Sequence, residues 1–526
     1  MGTPKASKVY YSLTHWHDFR LKLFGEGILV GFFVGLIVVA FRYFIEQAEI
    51  LRSEIYACLW TGNLLLTVLW FLGLLIIAYL LNKIIQVEPM AAGSGIPQVK
   101  GIILGFMKMN WLKVVIAKFI GGVLAIGAGL SLGREGPSIQ LGAAIGQGVS
   151  RRLGRSRMEE RYLLTSGASA GLAAAFNAPL AGVIFSLEEL HKNFSPTVLM
   201  SSVAAALTAV VVSRHFFGNN PIFNLAGLPI LPVRYYGAII LLGLFIGFLG
   251  IVFNRVLIKT VTLYEQQGLL FGMWKIALPL VAAGMTGFFL PEVLGGGNHL
   301  VDLLAPQPFS LRMLLILLIA KFFFTMLSYG SGVPGGIFLP MLVIGALAGS
   351  VFGHMLITVG LLDPYYSTTV IVLSMAAYFS AVVKAPITGS ILIMEMTGSF
   401  HHMLSLIVVS MSAYLIADVA KMKPIYEELL ERSLRKQGKT SLNITSKKRM
   451  ILEVAVCMGS PLDGKQIKNI DWPQYCLLVS IKRGDAELVP KGDTKIIAGD
   501  YVYVLTNVEQ AKQIREMAQE RIPEIL

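Results

Sequence analysis

The sequence predicts an all-α polytopic membrane protein made of two related halves, with a small soluble α+β unit behind them. Three observations predict it: a surplus of apolar residues, an internal repeat with a period near 200 residues, and a change of sequence character after residue 426.

The surplus comes first. Of 526 residues, 55% are hydrophobic and 14% charged, and the mean hydropathy is +0.69. Soluble domains carry about 25% charged residues, and no single core could bury so much apolar chain, so bilayer is the natural solvent. Runs at 27–41, 63–82, 197–213, 237–253, 274–290, 311–327, 341–352 and 403–417 are almost free of charge. Several are shorter than the roughly 20 residues of a straight span, which predicts helices that stop inside the membrane.

The first 24 residues are polar and basic (Lys5, Lys8, Arg20, Lys22), and the apolar run behind them is long enough to stay in the membrane rather than be cleaved as a signal. That flank and the basic stretch Lys421–Arg449 predict a multi-pass protein of the cell membrane, with both termini cytosolic and an even number of crossings. The net charge of +13 sits largely at membrane edges, so anionic lipid explains it and nucleic acid is not expected. Cys58, Cys457 and Cys476 are too far apart in sequence to indicate a disulfide framework or a metal site.

The repeat is the second observation. Gly133-Arg-Glu-Gly-Pro137-Ser-Ile-Gln-Leu-Gly142-Ala143 reads against Gly336-Ile-Phe-Leu-Pro340-Met-Leu-Val-Ile-Gly345-Ala346, an offset of 203 (133 to 336). Ala178-Pro179-Leu-Ala-Gly182-Val-Ile184-Phe-Ser-Leu-Glu188 reads against Ala385-Pro386-Ile-Thr-Gly389-Ser-Ile391-Leu-Ile-Met-Glu395, an offset of 207 (178 to 385). Two ordered blocks sharing Gly, Pro and Glu positions divide the membrane part into halves at about 27–225 and 232–426. Paired halves interrupted by Gly and Pro at matching places are a transporter signature, and the interruptions point to the binding site.

Those interruptions have the chemistry of an anion site. A helix N-terminus offers unpaired N–H groups and about half a positive charge, enough to bind an anion in lipid and still let it go. Glycine allows close backbone approach, and proline at a first helical position forfeits no hydrogen bond. Three segments fit: Gly93-Ser94-Gly95-Ile96-Pro97, Gly133-Arg134-Glu135-Gly136-Pro137, and Gly335-Gly336-Ile337-Phe338-Leu339-Pro340. One such segment alone is as easily a packing kink; three, two of them repeat-related, are not.

In order and spacing these three segments resemble the selectivity motifs of the CLC family of chloride channels and transporters, and Lys423-Pro-Ile-Tyr426 resembles the stretch carrying that family's last chloride ligand. The resemblance covers about residues 25–435. It implies a homodimer with one pore per subunit, each built from two inverted halves of tilted, often broken helices. It also implies that the Ser94 and Tyr426 hydroxyls and the Ile337 and Phe338 amides hold the central chloride. No cofactor is expected; chloride and protons are the substrates.

Carboxylates then set the mechanism, because a charge near the bilayer centre is usually functional or paired. Glu135 lies inside an anion-binding turn, where its carboxylate would compete with chloride and, once protonated, swing away. By resemblance it is the external gate and proton carrier. Glu188 and Glu189 are neighbours, about 100° apart on a helix, and cannot share a role. Glu188 matches Glu395 in the repeat, which predicts a structural pair with local hydrogen bonds; Glu189 has no counterpart and by resemblance is the internal proton-transfer residue of the exchangers. The bland alternative for Glu189 is an ion pair at a subunit interface. Lys118 falls where the family has a buried lysine, and it and Arg134 are expected to support the structure. Leu339 stands where Ala is common, and Gln98 and Lys100 replace acidic residues; none of the three is expected to touch a chloride ligand. Coupled chloride/proton exchange is thus the leading function and a passive chloride channel the alternative. An enzyme is not expected, since no nucleophile, metal or cofactor motif accompanies the glutamates.

After Tyr426 a charged linker (427–449) leads into residues 450–526. Strands are predicted at Met450–Val456, Cys476–Ile481 and Tyr501–Leu505, a helix start at Ser460-Pro461, a turn at Arg483-Gly484-Asp485 and an amphipathic helix at Val508–Glu520. Pro490-x-Gly492-Asp493-Thr494 and Ala498-Gly499-Asp500 resemble the C-terminal (TrkA-C) module of regulators of potassium conductance. Two readings stay open: a module binding a cyclic dinucleotide or other small regulator, and a ligand-free dimerisation clamp.

Overall fold

A computed structural model describes residues 16–519 except 61, 193, 220, 224–227, 267–271, 305–308, 437–448, 475, 485 and 508–509. Lys5, Lys8, Asp485, the ends of the predicted 508–520 helix and most of the 427–449 linker therefore lie outside the described residues. The chain divides into two compact units, Met1–Leu430 and Glu431–Leu526.

The first unit is helical, and its helices repeat in order. Trp16–Leu59, Leu64–Val87, Ile96–Ile103, Trp111–Gly127, Glu135–Arg152, Arg157–Phe176, Pro179–Phe185 and Pro196–Phe217 form one half. Tyr236–Gln266, Trp274–Phe289, Asn298–Leu304, Leu311–Gly330, Phe338–Thr358, Ser367–Val383, Pro386–Thr397 and Met403–Val419 answer them in the other. Among the described residues eight helices are long and apolar enough to cross a membrane, so the chain is a multi-pass membrane protein.

Two sequence expectations need correction. The runs 27–41 and 341–352 are fragments of longer helices, Leu21–Leu59 and Phe338–Thr358, and do not mark helices that stop early. Conversely, no apolar run marks Trp111–Gly127, Arg157–Phe176 or Ser367–Val383. Arg157–Phe176 is rich in Gly, Ala and Ser because it lies directly against Glu135–Arg152: a Cβ on Gly142 would collide with Gly167 O, and one on Gly171 with Ser138 O. That helix faces protein from Leu163 onward, and small residues let the backbones touch.

The halves meet about a pseudo-twofold axis. Gly133 and Gly336 form an isolated antiparallel bridge, each donating its N–H to the other's carbonyl at 2.6 and 2.8 Å. Glu188 and Glu395 repeat the exchange at longer range. Glu188 accepts from the Thr388 amide at 2.7 Å and the Thr388 hydroxyl at 2.6 Å; Glu395 accepts from the Ala181 and Leu180 amides at 2.8 and 3.1 Å. Each carboxylate caps the proline-led helix of the opposite half, Pro386–Thr397 or Pro179–Phe185, taking N–H groups that no helical carbonyl can reach.

The second unit carries a four-stranded antiparallel sheet. Strands β1 (Arg449–Ala455), β2 (Leu477–Arg483), β3 (Ala486–Leu488) and β4 (Tyr501–Asn507) lie in the order β1-β4-β2-β3. Leu452, Val454, Ile481, Val502 and Val504 bury one face against Ile514 of the Ala511–Ala518 helix. The helix start expected at Ser460-Pro461 is a run of turns, pinned where Asp463 accepts from the Gly459 and Ala498 amides. Strand β3, three residues long, had no sequence signal. The Asp500 of the Ala-Gly-Asp motif is fully buried and takes a two-pronged bond from Arg483, 2.8 Å on each prong. Burial works to raise its carboxyl, but Arg483 and the Ile497 amide outweigh that and hold it below the usual range.

Candidate functional site

Local chemistry sets the loops before it sets the site. Gly95 takes φ +95° as the N-cap of Ile96–Ile103, with Pro97 in the first turn. A side chain at Gly95 would strike Gln140, whose Nε2 donates to Met90 O at 2.7 Å. The first-motif loop is tied to the third: Gly93 N donates to Gly332 O, and Gly335 N to Gly93 O, both at 3.0 Å. With the Gly133–Gly336 bridge, these bonds bring all three motif segments to one place.

That place is lined by polar atoms with no partner. Ser94, Glu135 and Tyr426 are at most 1% exposed, and the Ser94 hydroxyl, the Tyr426 hydroxyl and both Glu135 carboxylate oxygens are buried without a hydrogen bond. An unsatisfied buried polar group costs about 1–3 kcal/mol, and four such atoms fall on the three residues Ser94, Glu135 and Tyr426. Ser94 Oγ lies against Gly136, where a Cβ would collide with it, and Glu135 Oε2 lies against Gly133 in the same way. The main-chain N–H groups of Glu135 and Leu339 are near enough to act on that carboxylate, as are Tyr426 and Arg134. Ile337 and Phe338 are fully buried at the start of Phe338–Thr358, where amides have no helical acceptor. The Phe338 ring is wedged by Phe379, Phe176 and Phe185 at 4.7, 5.2 and 6.2 Å. The donors Ser94 and Tyr426 with these helix starts suit a small anion, and Glu135 is placed to rival it.

Lys118 is fully buried, and its ammonium donates to Ala91 O at 3.0 Å and Gly93 O at 2.6 Å. It therefore holds the loop that carries Ser94. Glu189 sits on a short π-helical stretch, Ser186–His191, and accepts a 2.7 Å bond from Lys100. The partner belongs to the same subunit, so no subunit interface is needed to explain this carboxylate. Lys100 is bonded to none of the expected chloride ligands but to Glu189, a contact the sequence did not suggest. Arg134 donates to Glu46 at 3.1 Å. The pair lines a cavity of about 800 Å³ that Leu339, Gly296 and Asn298 also border.

Sequence reasoning missed two residues. Tyr329 is buried beside Ser94, whose amide acts on its hydroxyl, and is close enough to act on Tyr426. Lys321 is fully buried and donates to Val293 O and Gly295 O at 2.8 Å each, as Lys118 does to Ala91 and Gly93. The signal was present: 118 to 321 is the same offset, 203, as Gly133 to Gly336.

The comparisons with known proteins agree with this geometry. Residues 73–418 match the family described as voltage gated chloride channel, and residues 451–519 match the TrkA-C domain. The H(+)/Cl(-) exchange transporter ClcA of Salmonella agona (strain SL483) is 35% identical over 78% of this chain and 88% of its own length. The crystal structure of a slow cyanobacterial Cl-/H+ antiporter superposes with a TM-score of 0.76, at 30% identity, covering 79% of this chain and 99% of that one. A CLC-type fluoride/proton antiporter shares the fold, with a TM-score of 0.65 and 23% identity over 78% of this chain and 97% of that one. The chain belongs to the voltage gated chloride channel (CLC) family and ends in a TrkA-C domain.

Proposed function

We propose that this protein exchanges chloride for protons, as a homodimer in the cell membrane with both termini cytosolic, and that it is not an enzyme. The observation that carries the reading is the set of partnerless buried oxygens: a carboxylate, Glu135, lies close to two hydroxyl donors, Ser94 and Tyr426. In this reading chloride takes hydrogen bonds from Ser94, Tyr426 and the amides of Ile337 and Phe338. Glu135, ionised, claims the same donors; protonated, it yields to chloride and leaves. One group thus links proton binding to anion movement. Glu189, near enough to act on Tyr426, hands protons between the cytosolic side and Glu135. Ser94 and an intact Gly133–Pro137 motif favour chloride over nitrate or fluoride.

The test is flux from chloride-loaded liposomes, with a chloride electrode and a pH probe read together. A chloride gradient is expected to drive protons uphill in fixed proportion. Chloride efflux without proton movement would establish the channel instead.

Residues 450–526 serve regulation in this reading, not transport, because every proposed ligand precedes them. Deleting 441–526 is expected to preserve the proton-to-chloride ratio while changing the rate or its response to a regulator. A folded, truncated dimer that had lost coupling would end this assignment. Calorimetry of the full-length protein with cyclic dinucleotides, compared with the truncated form, separates a regulator site from a dimerisation clamp.

A further inference from the structure

We infer that Lys100 is a positioning residue for the inner proton step: its ammonium holds the Glu189 carboxylate in line and must release it whenever Glu189 takes a proton. The inference rests on the reading of Glu189 as the inner proton carrier. Four observations lead to it.

The pair is short, 2.7 Å, with side chains only 4% and 2% exposed, so water screens it little. Its two members belong to elements that meet the anion site. Lys100 is on the short helix Ile96–Ile103, whose N-terminus follows Ser94. Glu189 lies in the π-helical stretch behind Pro179–Phe185, the helix that Glu395 caps. A second ion pair leads toward solvent from the first: Lys192 donates to Glu427 at 2.6 Å with side chains 43% and 23% exposed. Both of these charges act on Glu189, and Glu427 directly follows Tyr426. A half-exposed ion pair thus stands beside a buried one, whose carboxylate has the Lys100 ammonium as its counter-ion.

Such a pair cannot be idle if Glu189 is protonated in each cycle. A neutral acid leaves the ammonium buried and unpaired, so the pair has to part; lysine, a point charge on a flexible four-carbon stem, is suited to parting and returning. While paired, Glu189 keeps its charged, proton-accepting form in one position. Without Lys100 the carboxylate loses both its anchor and the counter-charge that keeps it ready to accept a proton. Fewer protons then cross per chloride.

The experiment measures the proton-to-chloride ratio from reversal potentials in liposomes holding Lys100→Met, Lys100→Gln, Lys100→Arg, Glu189→Gln or Lys100→Met/Glu189→Gln. A ratio does not report how much protein folded, so a merely structural lysine would leave it unmoved. Lys100→Met is expected to lower it at least about fivefold, the lower end of the range for coupled sites. Lys100→Arg should restore most of it, and the double variant should be no worse than Glu189→Gln alone. If Lys100→Met does not fold, Lys100→Gln is expected to show the same fall. A parental ratio in either neutral variant, with protons lost in Glu189→Gln, would overturn the role of Lys100 alone. Undiminished protons in Glu189→Gln would overturn the underlying reading instead.

Discussion

Glu135→Ala is expected to convert the exchanger into a passive, pH-independent path for chloride, with proton uptake abolished. The argument is one of competition. Glu135 is fully buried, its oxygens accept no hydrogen bond, and the amides of Glu135 and Leu339 that act on it belong to helix starts suited to hold an anion. A methyl group can neither claim those donors nor carry a proton. Chloride then meets no rival from Glu135 at any pH, and the carboxyl that carries the proton there is gone. The structural cost is small, since an alanine fits where the longer side chain stood and leaves the Gly133–Gly336 bridge intact. The measurement is chloride efflux and proton uptake from reconstituted vesicles at several external pH values. Continued uphill proton movement, or chloride efflux that still varied with pH, would show that another group gates the path.

Much of this site was legible in the sequence because its chemistry is local. A glycine at positive φ followed by a proline in the first turn, as in Gly95 and Pro97, and a carboxylate between glycine and proline, as in Glu135, are neighbours in the chain and could be read directly. The repeat was legible for the same reason, and it matched Glu188 to Glu395 as structural residues, but the local hydrogen bonds expected of them are instead long-range bonds to the opposite half. What sequence could not give is contact at a distance. Lys100 and Glu189 are separated by 89 residues, and nothing in either neighbourhood announces the other. Helix marking failed at Arg157–Phe176 because hydropathy is a poor guide there: that helix is enclosed by protein and so needs small residues more than apolar ones. Ser367–Val383, by contrast, is apolar enough to cross a membrane and was missed for no such reason. In the C-terminal unit Ser460-Pro461 has the composition of a helix start, yet Asp463 takes the Gly459 and Ala498 amides and closes a turn instead.

Adjacent glutamates offer the second test. Glu189→Gln is expected to abolish proton uptake driven by a chloride gradient while chloride continues to flow, whereas Glu188→Gln should lower the yield and thermal stability of the dimer more than its coupling. The two side chains differ in what they satisfy. Glu188 accepts two main-chain amides and a hydroxyl at the start of Pro386–Thr397, an acceptor task shared between two charged oxygens. Glutamine keeps one oxygen acceptor but turns the other position into a donor facing N–H or O–H groups. Losing a cap of this kind costs about 0.5–2 kcal/mol, a matter of folding. Glu189 instead bonds Lys100, so glutamine preserves its shape and can still accept a hydrogen bond from the ammonium, but it removes both the ability to titrate and the counter-charge of the buried Lys100. In the proposed mechanism Glu189 supplies no chloride ligand and serves only the proton limb. Parallel measurement of proton uptake, chloride efflux and melting temperature on each purified variant separates these outcomes. Undiminished pumping in Glu189→Gln would move the inner proton step to another group, and a Glu188→Gln protein that was fully stable but uncoupled would reverse the two assignments.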